Sequence, residues 1–328
     1  MKAIVIEKTD GGGSLVYRDV PDPLAGPDDL LVAVRACALN RADVLQRMGG
    51  YPQPGVKPEF EIPGLEYAGE VVEAGSRVEG FAVGDRVMGL VAGGGYAEMV
   101  SVPQRLAVKV PDSLSWQEAG ATPEVFITAH DALLQCNLQA GERVLIHAVG
   151  SGVGVAGVQI AKAMGASQVI GTAGSAEKLE QAAALGLDVG VNYREQDFAE
   201  VVREATDGAG VDVVLDVIGA DYWEQNLRAL ARQGRMVEVG LMSGAELQGA
   251  SLGPLLMKRL QVRGTTLRAR PLEQKAAATR AFEKSVLPHI ASGRIKVVVD
   301  SVYPLREAAA AQAHMEENAN FGKIVLEP

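Results

Sequence analysis

Gly150, Gly152, Gly154 and Gly157 cluster in the run VLIHAVGSGVGVAGVQIAKAMGA at residues 144–166, where an apolar segment gives way to an amphipathic one. A backbone without Cβ atoms turns tightly and brings its amides close to an anion, and the positive end of a helix dipole favours the same charge. The chemistry this suits is the cradling of a pyrophosphate by the turn Gly150, Ser151, Gly152, Val153 and Gly154, with Gly157 letting the helix lie close to a sheet. Val153, Ala156, Gly157, Ile160, Ala161 and Met164 share one helical face, while Gln159 and Lys162 fall on the other. Gly152, Gly154 and Gly157 fit GxGxxG, a weak signal in a chain with 38 glycines. Residues 144–161 carry no Asp, Glu, Lys or Arg, so a membrane span and a ligand-free strand-turn-helix are the alternatives. His147, Gln159 and the glycines suit lipid poorly. The strands QVIGT, VGVNY, VDVVLDVIG and RMVEVGLM follow, separated by helix-length segments, and that order favours a nucleotide fold.

A second patch bears on which nucleotide. NAD-binding folds place an acid about 20 residues beyond the glycines to hold the ribose hydroxyls; here that position is Gly174, in TAGSAEK. Gly174, the Ser175 hydroxyl, the Lys178 ammonium and Tyr193 after the next strand suit a 2′-phosphate, and so NADPH. The plainer reading is that Ser175 caps a helix and Lys178 is a solvated charge beside Glu177.

Positioning these groups takes two domains. The first 120 residues hold short β-rich runs (KAIVIEK, SLVYRDV, DLLVAVRACAL, YAGEVVEAG, DRVMGLV, YAEMVSVP) divided by turn sequences such as DGGGS and PDPLAGPDD, which predicts a small barrel-like β domain. The proline-rich loop YPQPGVKPEFEIP, residues 51–63, is stiff enough to frame a binding site. The βαβ pattern predicts a doubly wound parallel α/β sheet over residues 122–262, with residues 1–121 and 263–328 forming the other domain. A helical stretch from Leu272 to about Ile290 and an alanine-rich helix accompany the last strands, VVVDSVYPL and GKIVLEP.

With 41 acidic and 31 basic side chains the net charge is −10, which gives no footprint for nucleic acid or an anionic membrane and leaves small molecules as partners. Cys37 and Cys136 are the only cysteines and have no metal spacing, and Met1 leads directly into the strand AIVIE; both features point to the cytoplasm.

The motifs ALNRADVLQRMGGYP, GVGVAGVQIAKAMGA, TAGSAEKLEQAAALG, NYREQDF, DVIGADYWEQNL and GLMSG stand in one register over the whole chain. In that register the chain resembles the zinc-independent NADPH:quinone oxidoreductase branch of the medium-chain dehydrogenase/reductase superfamily. The resemblance implies a GroES-like β-barrel domain, a Rossmann domain, NADPH as cofactor, a quinone as acceptor and a homodimer paired through the strand QVRGTTL. Where the zinc enzymes of the superfamily have a cysteine ligand this chain has Asn40, and where they read Gly-His-Glu it reads Gly64, Leu65, Glu66, so no metal is expected. The resemblance also places Asn40, Asp43, Tyr51 and Thr128 beside the reacting rings. It puts Ile218, Gly219, Gly240, Leu241, Met242, Thr265, Thr266, Leu267 and Asn320 along the nicotinamide. Each has a plainer reading: Asn40 as an N-cap, Asp43 as a first-turn acid, Tyr51 as loop packing, Thr128 as a helix hydroxyl bonded back to its own turn, and the others as loop chemistry. His147 and Cys136 read as core, and His130 as a surface helix residue. Two rivals keep the fold: an NADPH-dependent reductase of α,β-unsaturated carbonyls and a non-catalytic NADPH sensor.

Overall fold

A computed structural model of the protein describes residues 1–9, 12–55 and 58–328; part of the DGGGS turn and residues 56 and 57 of the proline-rich loop lie outside them. In chain order the elements are β1 (Lys2–Thr9), β2 (Gly12–Asp19), β3 (Asp29–Ala38), α1 (Arg41–Arg47), β4 (Glu66–Ala74), β5 (Arg86–Leu90), β6 (Met99–Pro103), β7 (Ala107–Lys109), α2 (Trp116–Gly120) and α3 (Pro123–Gln135). Then come β8 (Arg143–Ile146), α4 (Gly152–Ala163), β9 (Gln168–Ala173), α5 (Ala176–Ala183), β10 (Val189–Asn192), α6 (Phe198–Ala205), β11 (Val211–Asp216), α7 (Trp223–Ala229), β12 (Leu230–Glu238), α8 (Gly253–Lys258) and β13 (Gln261–Gly264). The chain ends with α9 (Leu272–Ser285), α10 (Leu287–Ala291), β14 (Val299–Pro304), α11 (Ala308–Glu316) and β15 (Lys323–Glu327). It divides into two compact units, residues 1–127 with 267–328, and residues 128–266. These divisions fall a few residues beyond the expected ones at 121 and 262.

The second unit is built by short apolar strands that alternate with capped helices. Ser151 caps α4, Ser175 caps α5 and Asp197 caps α6, each accepting a first-turn amide. The six strands are all parallel in the order β10-β9-β8-β11-β12-β13, the doubly wound arrangement in which the order reverses beside the first strand, β8. Leu145, Ile170, Val191, Val214 and Met236 project from one face of this sheet into a core with Phe198, Val202 and Leu227. Gln159 was expected away from the buried face of α4, yet it is 5% exposed and its amide turns back to Val155 O at 3.2 Å.

In the first unit β3 is the organising strand: its buried Leu30, Val32, Val34 and Cys37 join Tyr67, Val87, Tyr96 and Ile324 in the core. Its neighbours are antiparallel, with β4 on one side and β6 and β15 at different points along its length. The long path runs β14-β15-β3-β4-β5-β7, and β1 pairs with β2. This is the expected GroES-like β domain in an open form: among the described residues β14 and β7 end the path unjoined. The single helix expected from Leu272 is two, because Pro288 lacks the amide needed to continue through Val286. Among the described residues no helix is long and apolar enough to cross a membrane.

Candidate functional site

The glycine turn of the second unit lies at the carboxyl end of β8, where open α/β sheets bind ligands. Ala148 takes a left-handed φ of 53°, Ser151 N–H closes the turn on Ala148 O at 2.8 Å, and Ser151 Oγ accepts Gly154 N–H at 3.0 Å. A Cβ on Gly154 would stand 2.2 Å from Ala148 O and 2.6 Å from Val149 Cα, both backbone atoms, so only glycine fits there. Gly157 is less constrained, its nearest neighbour for such a Cβ being Ile146 Cδ1 at 3.4 Å. Gly150 is buried, while Gly152 and Val153 open α4 half-buried.

A buried polar row runs beneath this turn. His147 meets Thr172 Oγ1 at 3.0 Å through Nδ1 and Asn226 Oδ1 at 2.7 Å through Nε2, and Asn226 Nδ2 donates to Asp216 Oδ2 at 2.7 Å. Because a carboxylate only accepts, the Asn226 amide must present its oxygen to His147, which makes Nε2–H the donor and Nδ1 the acceptor of the threonine hydroxyl. Burial lowers the His147 pKa and so favours the neutral ring. Asp216 Oδ1 also accepts Ile218 N–H at 2.5 Å and Gly219 N–H at 3.4 Å, which fixes the turn after β11. Burial, with Asp216 beside it, pushes Glu238 up to about 8.

Gly174 and Tyr193 adjoin: a Cβ on Gly174 would lie 2.8 Å from Tyr193 Oη. Ser175 Oγ accepts Lys178 N–H at 3.4 Å, so it caps α5 as the plainer reading has it. Gly240, Leu241 and Met242 follow β12, with Leu241 and Met242 exposed. Thr265 and Thr266 follow β13, where Thr265 N–H donates to Glu238 O at 2.9 Å and its hydroxyl accepts Gln135 Nε2 at 2.9 Å. Thr128 is half-buried in α3, and its hydroxyl shows no back-bond among the described residues. Leu267 and Asn320 belong to the first unit; both are buried, and Asn320 Nδ2 donates to Gly322 O at 2.9 Å.

The first unit holds a corner of another kind. Asn40 is the N-cap of α1, and Asp43 completes a capping box with it, Asp43 Oδ2 accepting Asn40 N–H at 2.8 Å. The carboxamide of Asn40 has further partners: Oδ1 accepts from Lys323 Nζ at 2.7 Å and Nδ2 donates to Glu66 Oε1 at 2.9 Å. Lys323 and Glu66 form an ion pair at 2.8 Å with side chains 4% and 0% exposed. Glu66 Oε2 accepts the Glu124 amide at 2.8 Å. Asp43, fully buried, also accepts Gly64 N–H at 3.2 Å and Tyr96 O–H at 3.0 Å, yet burial outweighs these and raises it to about 6. Burial first, and Glu66 second, push Glu124 up to about 8 against the pull of Lys323 and Arg268. Tyr51 is held by Arg268, which donates to its carbonyl at 3.0 Å, stacks 5.1 Å from its ring and reaches Gln46 Oε1 at 2.7 Å.

Sequence reasoning missed Lys323, Tyr96, Glu124 and Arg268, since nothing local marks a lysine or arginine as buried. It also misplaced His130, which is 3% exposed in α3 with its pKa lowered by burial. A zinc ion does not suit the corner: Leu65 is a buried hydrocarbon, the amide of Asn40 is engaged at both ends, and Glu66 already faces an ammonium.

Residues 26–112 match the alcohol dehydrogenase GroES-like domain, and residues 152–284 match the family described as zinc-binding dehydrogenase. A quinone oxidoreductase of Pseudomonas aeruginosa is 34% identical over 100% of this chain and 99% of its own. The crystal structure of Escherichia coli quinone oxidoreductase complexed with NADPH superposes with a TM-score of 0.88 at 33% identity, covering 100% of both chains. A structure described as an NAD-dependent alcohol dehydrogenase does so with a TM-score of 0.88 at 34% identity, again over 100% of both chains. With the glycine turn on a doubly wound sheet and β3 at the centre of the other unit, the chain belongs to the quinone oxidoreductase family of the medium-chain dehydrogenases/reductases.

Proposed function

We propose that this protein is a metal-independent, NADPH-dependent reductase of quinones, active as a cytoplasmic homodimer. The observation that carries the reading is the Asn40–Glu66–Lys323 cluster, which installs an ammonium where the superfamily's zinc enzymes gather metal ligands. Without a Lewis acid to hold an alkoxide, an electron-poor acceptor suits the protein better than an alcohol. NADPH, when bound, supplies the hydride. The first-turn amides of Gly152 and Val153 at the head of α4 would hold the pyrophosphate, with Ser151 N–H and Gly154 N–H closing the turn beneath it and Gly154 leaving room for the approach, and Gly174, Ser175, Lys178 and Tyr193 would receive the 2′-phosphate. Asp216 sets the Ile218–Gly219 turn, which with Gly240, Leu241, Met242, Thr265, Thr266 and Thr128 of the same unit would orient the nicotinamide. Arg268 holds Tyr51 for the acceptor, and the Asn40–Asp43 box keeps the corner rigid. The two cysteines are buried and free, in keeping with a reducing compartment. β13 is the edge of the parallel sheet, and Leu252, Leu256 and Met257 are 74%, 79% and 73% exposed nearby in sequence, a surface suited to a second copy.

Glu124 favours a second reading, reduction of α,β-unsaturated carbonyls, because an enolate is protonated at carbon and calls for a positioned general acid, and burial raises the Glu124 carboxyl to about 8. Steady-state NADPH oxidation with a benzoquinone and with an enone separates the readings. The quinone should give the larger kcat/KM, chelator treatment should leave it unchanged, and the pure protein should hold substoichiometric zinc. A preference for the enone selects the second reading, whereas one zinc per chain lost together with activity defeats both. Tight NADPH binding without oxidation by either acceptor leaves only the sensor.

A further inference from the structure

We infer that Arg194 is the specificity-determining cation of the 2′-phosphate subsite, an inference that rests on the NADPH reading above. Arg194 follows β10 and Tyr193, and its backbone is set by two hydrogen bonds: Tyr193 N–H to Ala173 O at 3.2 Å and Arg194 N–H to Asn192 Oδ1 at 3.2 Å. Tyr193 is further anchored by an edge contact with Tyr222, ring centroids 6.3 Å apart. The two side chains converge on Gly174: a Cβ built there would lie 2.8 Å from Tyr193 Oη and 3.2 Å from Arg194 Nε. The guanidinium therefore stands against the residue that in NAD-binding folds carries the ribose-binding acid.

Arg194 is exposed, and among the described residues its guanidinium forms no ion pair or side-chain hydrogen bond, although much of the chain's arginine is engaged in such contacts. The Gly174 it stands against immediately precedes Ser175, the cap of the eight-residue helix α5, whose first-turn amides lie at the positive end of its dipole. A planar guanidinium matches two phosphate oxygens at once, which the point charge of Lys178 cannot do. With Gly174 kept small, no carboxylate at this position competes for the guanidinium.

The test is direct titration of the full chain with NADPH and NADH, and with the fragments 2′,5′-ADP and 5′-AMP. Wild type should bind 2′,5′-ADP more tightly than 5′-AMP. Arg194→Gln should weaken NADPH and 2′,5′-ADP by about ten- to a hundredfold while NADH and 5′-AMP stay within about twofold at an unchanged melting temperature. Gly174→Asp is the reciprocal variant. Its Cβ meets side-chain atoms alone, the end of Tyr193 and Arg194 Nε, and its carboxylate would pair with Arg194 and favour NADH. Equal losses for all four ligands in Arg194→Gln would make the residue structural and overturn the inference. An undiminished NADPH preference in Arg194→Gln would also overturn it, leaving the NADPH reading standing. A wild type that prefers NADH would defeat that reading as well.

Discussion

The two sites of this molecule are made of different material. At the glycine turn the groups that would meet a ligand are backbone amides, and side chains matter chiefly by being absent: Gly154 has no room for one. At the corner of the first unit the backbone is ordinary, and the chemistry lies in buried charges, with Lys323 against Glu66, Asp43 under Tyr96 and Arg268 against Tyr51. A backbone site fails when an atom is added. A side-chain site fails when one member of a set is removed, because the others remain buried without a partner.

The largest effect should come from breaking that set. Lys323→Met removes the cation of a pair whose members are 4% and 0% exposed, leaving Glu66 buried and charged. Chemical denaturation should show a loss of about 3–5 kcal/mol. The double variant Lys323→Met with Glu66→Gln removes the stranded charge and should recover most of that loss. A single-variant cost below about 1 kcal/mol, the range of exposed pairs, would mean that the pair does not hold the corner together.

Adding an atom at the other site should cost less stability and more binding. Gly154→Ala places a Cβ 2.2 Å from Ala148 O, and the backbone must shift to admit it. We expect a loss of about 1–3 kcal/mol and at least a tenfold weaker Kd for NADPH. Gly157→Ala is the control: its Cβ has 3.4 Å of clearance, so its stability should stay within about 0.5 kcal/mol of wild type. If the two variants behave alike in NADPH titration and melting, the turn does not depend on the close approach at Gly154.

The same contrast explains what could be read beforehand. The turn, its strand and its helix span residues 143–163, so glycine spacing and apolar periodicity carry the signal locally. The corner unites Asn40, Glu66, Glu124 and Lys323 through bonds that span up to 283 residues, and no window of sequence contains them together. Asn40 and Asp43 were legible as a capped helix start, while the lysine that engages Asn40 looked like any solvated charge. Arg268 was hidden in the same way, being 222 residues from Gln46. The open ends of the first unit's sheet were not legible, because strand alternation reports which face is buried and says nothing of whether the outermost strands meet. His130 was misjudged because its helix, α3, is buried on more than one side, with Ala129, His130, Ala132 and Leu133 all buried.

The smallest effect sharpens the comparison through pH. Glu124 is half-buried at the start of α3, and its carboxyl is raised from 4.5 to about 8, first by burial and then by Glu66. In the unfolded chain the same group titrates near 4.3, so between roughly pH 4.5 and 8 the folded state binds more protons than the unfolded state does. Stability contributed at this position is therefore fully present at low pH and declines as pH rises through that window. Glu124→Gln keeps the shape and cannot ionise. Wild type and variant should be equally stable at about pH 4, and the variant should be the more stable by about 1 kcal/mol near pH 8, the full shift being screened at a partly exposed group. Denaturation midpoints measured across that range check the sign as well as the size. A wild type that gains on the variant as pH rises would mean that the carboxylate form is the favoured one, held by Lys323 and Arg268, and that the corner accommodates a further negative charge.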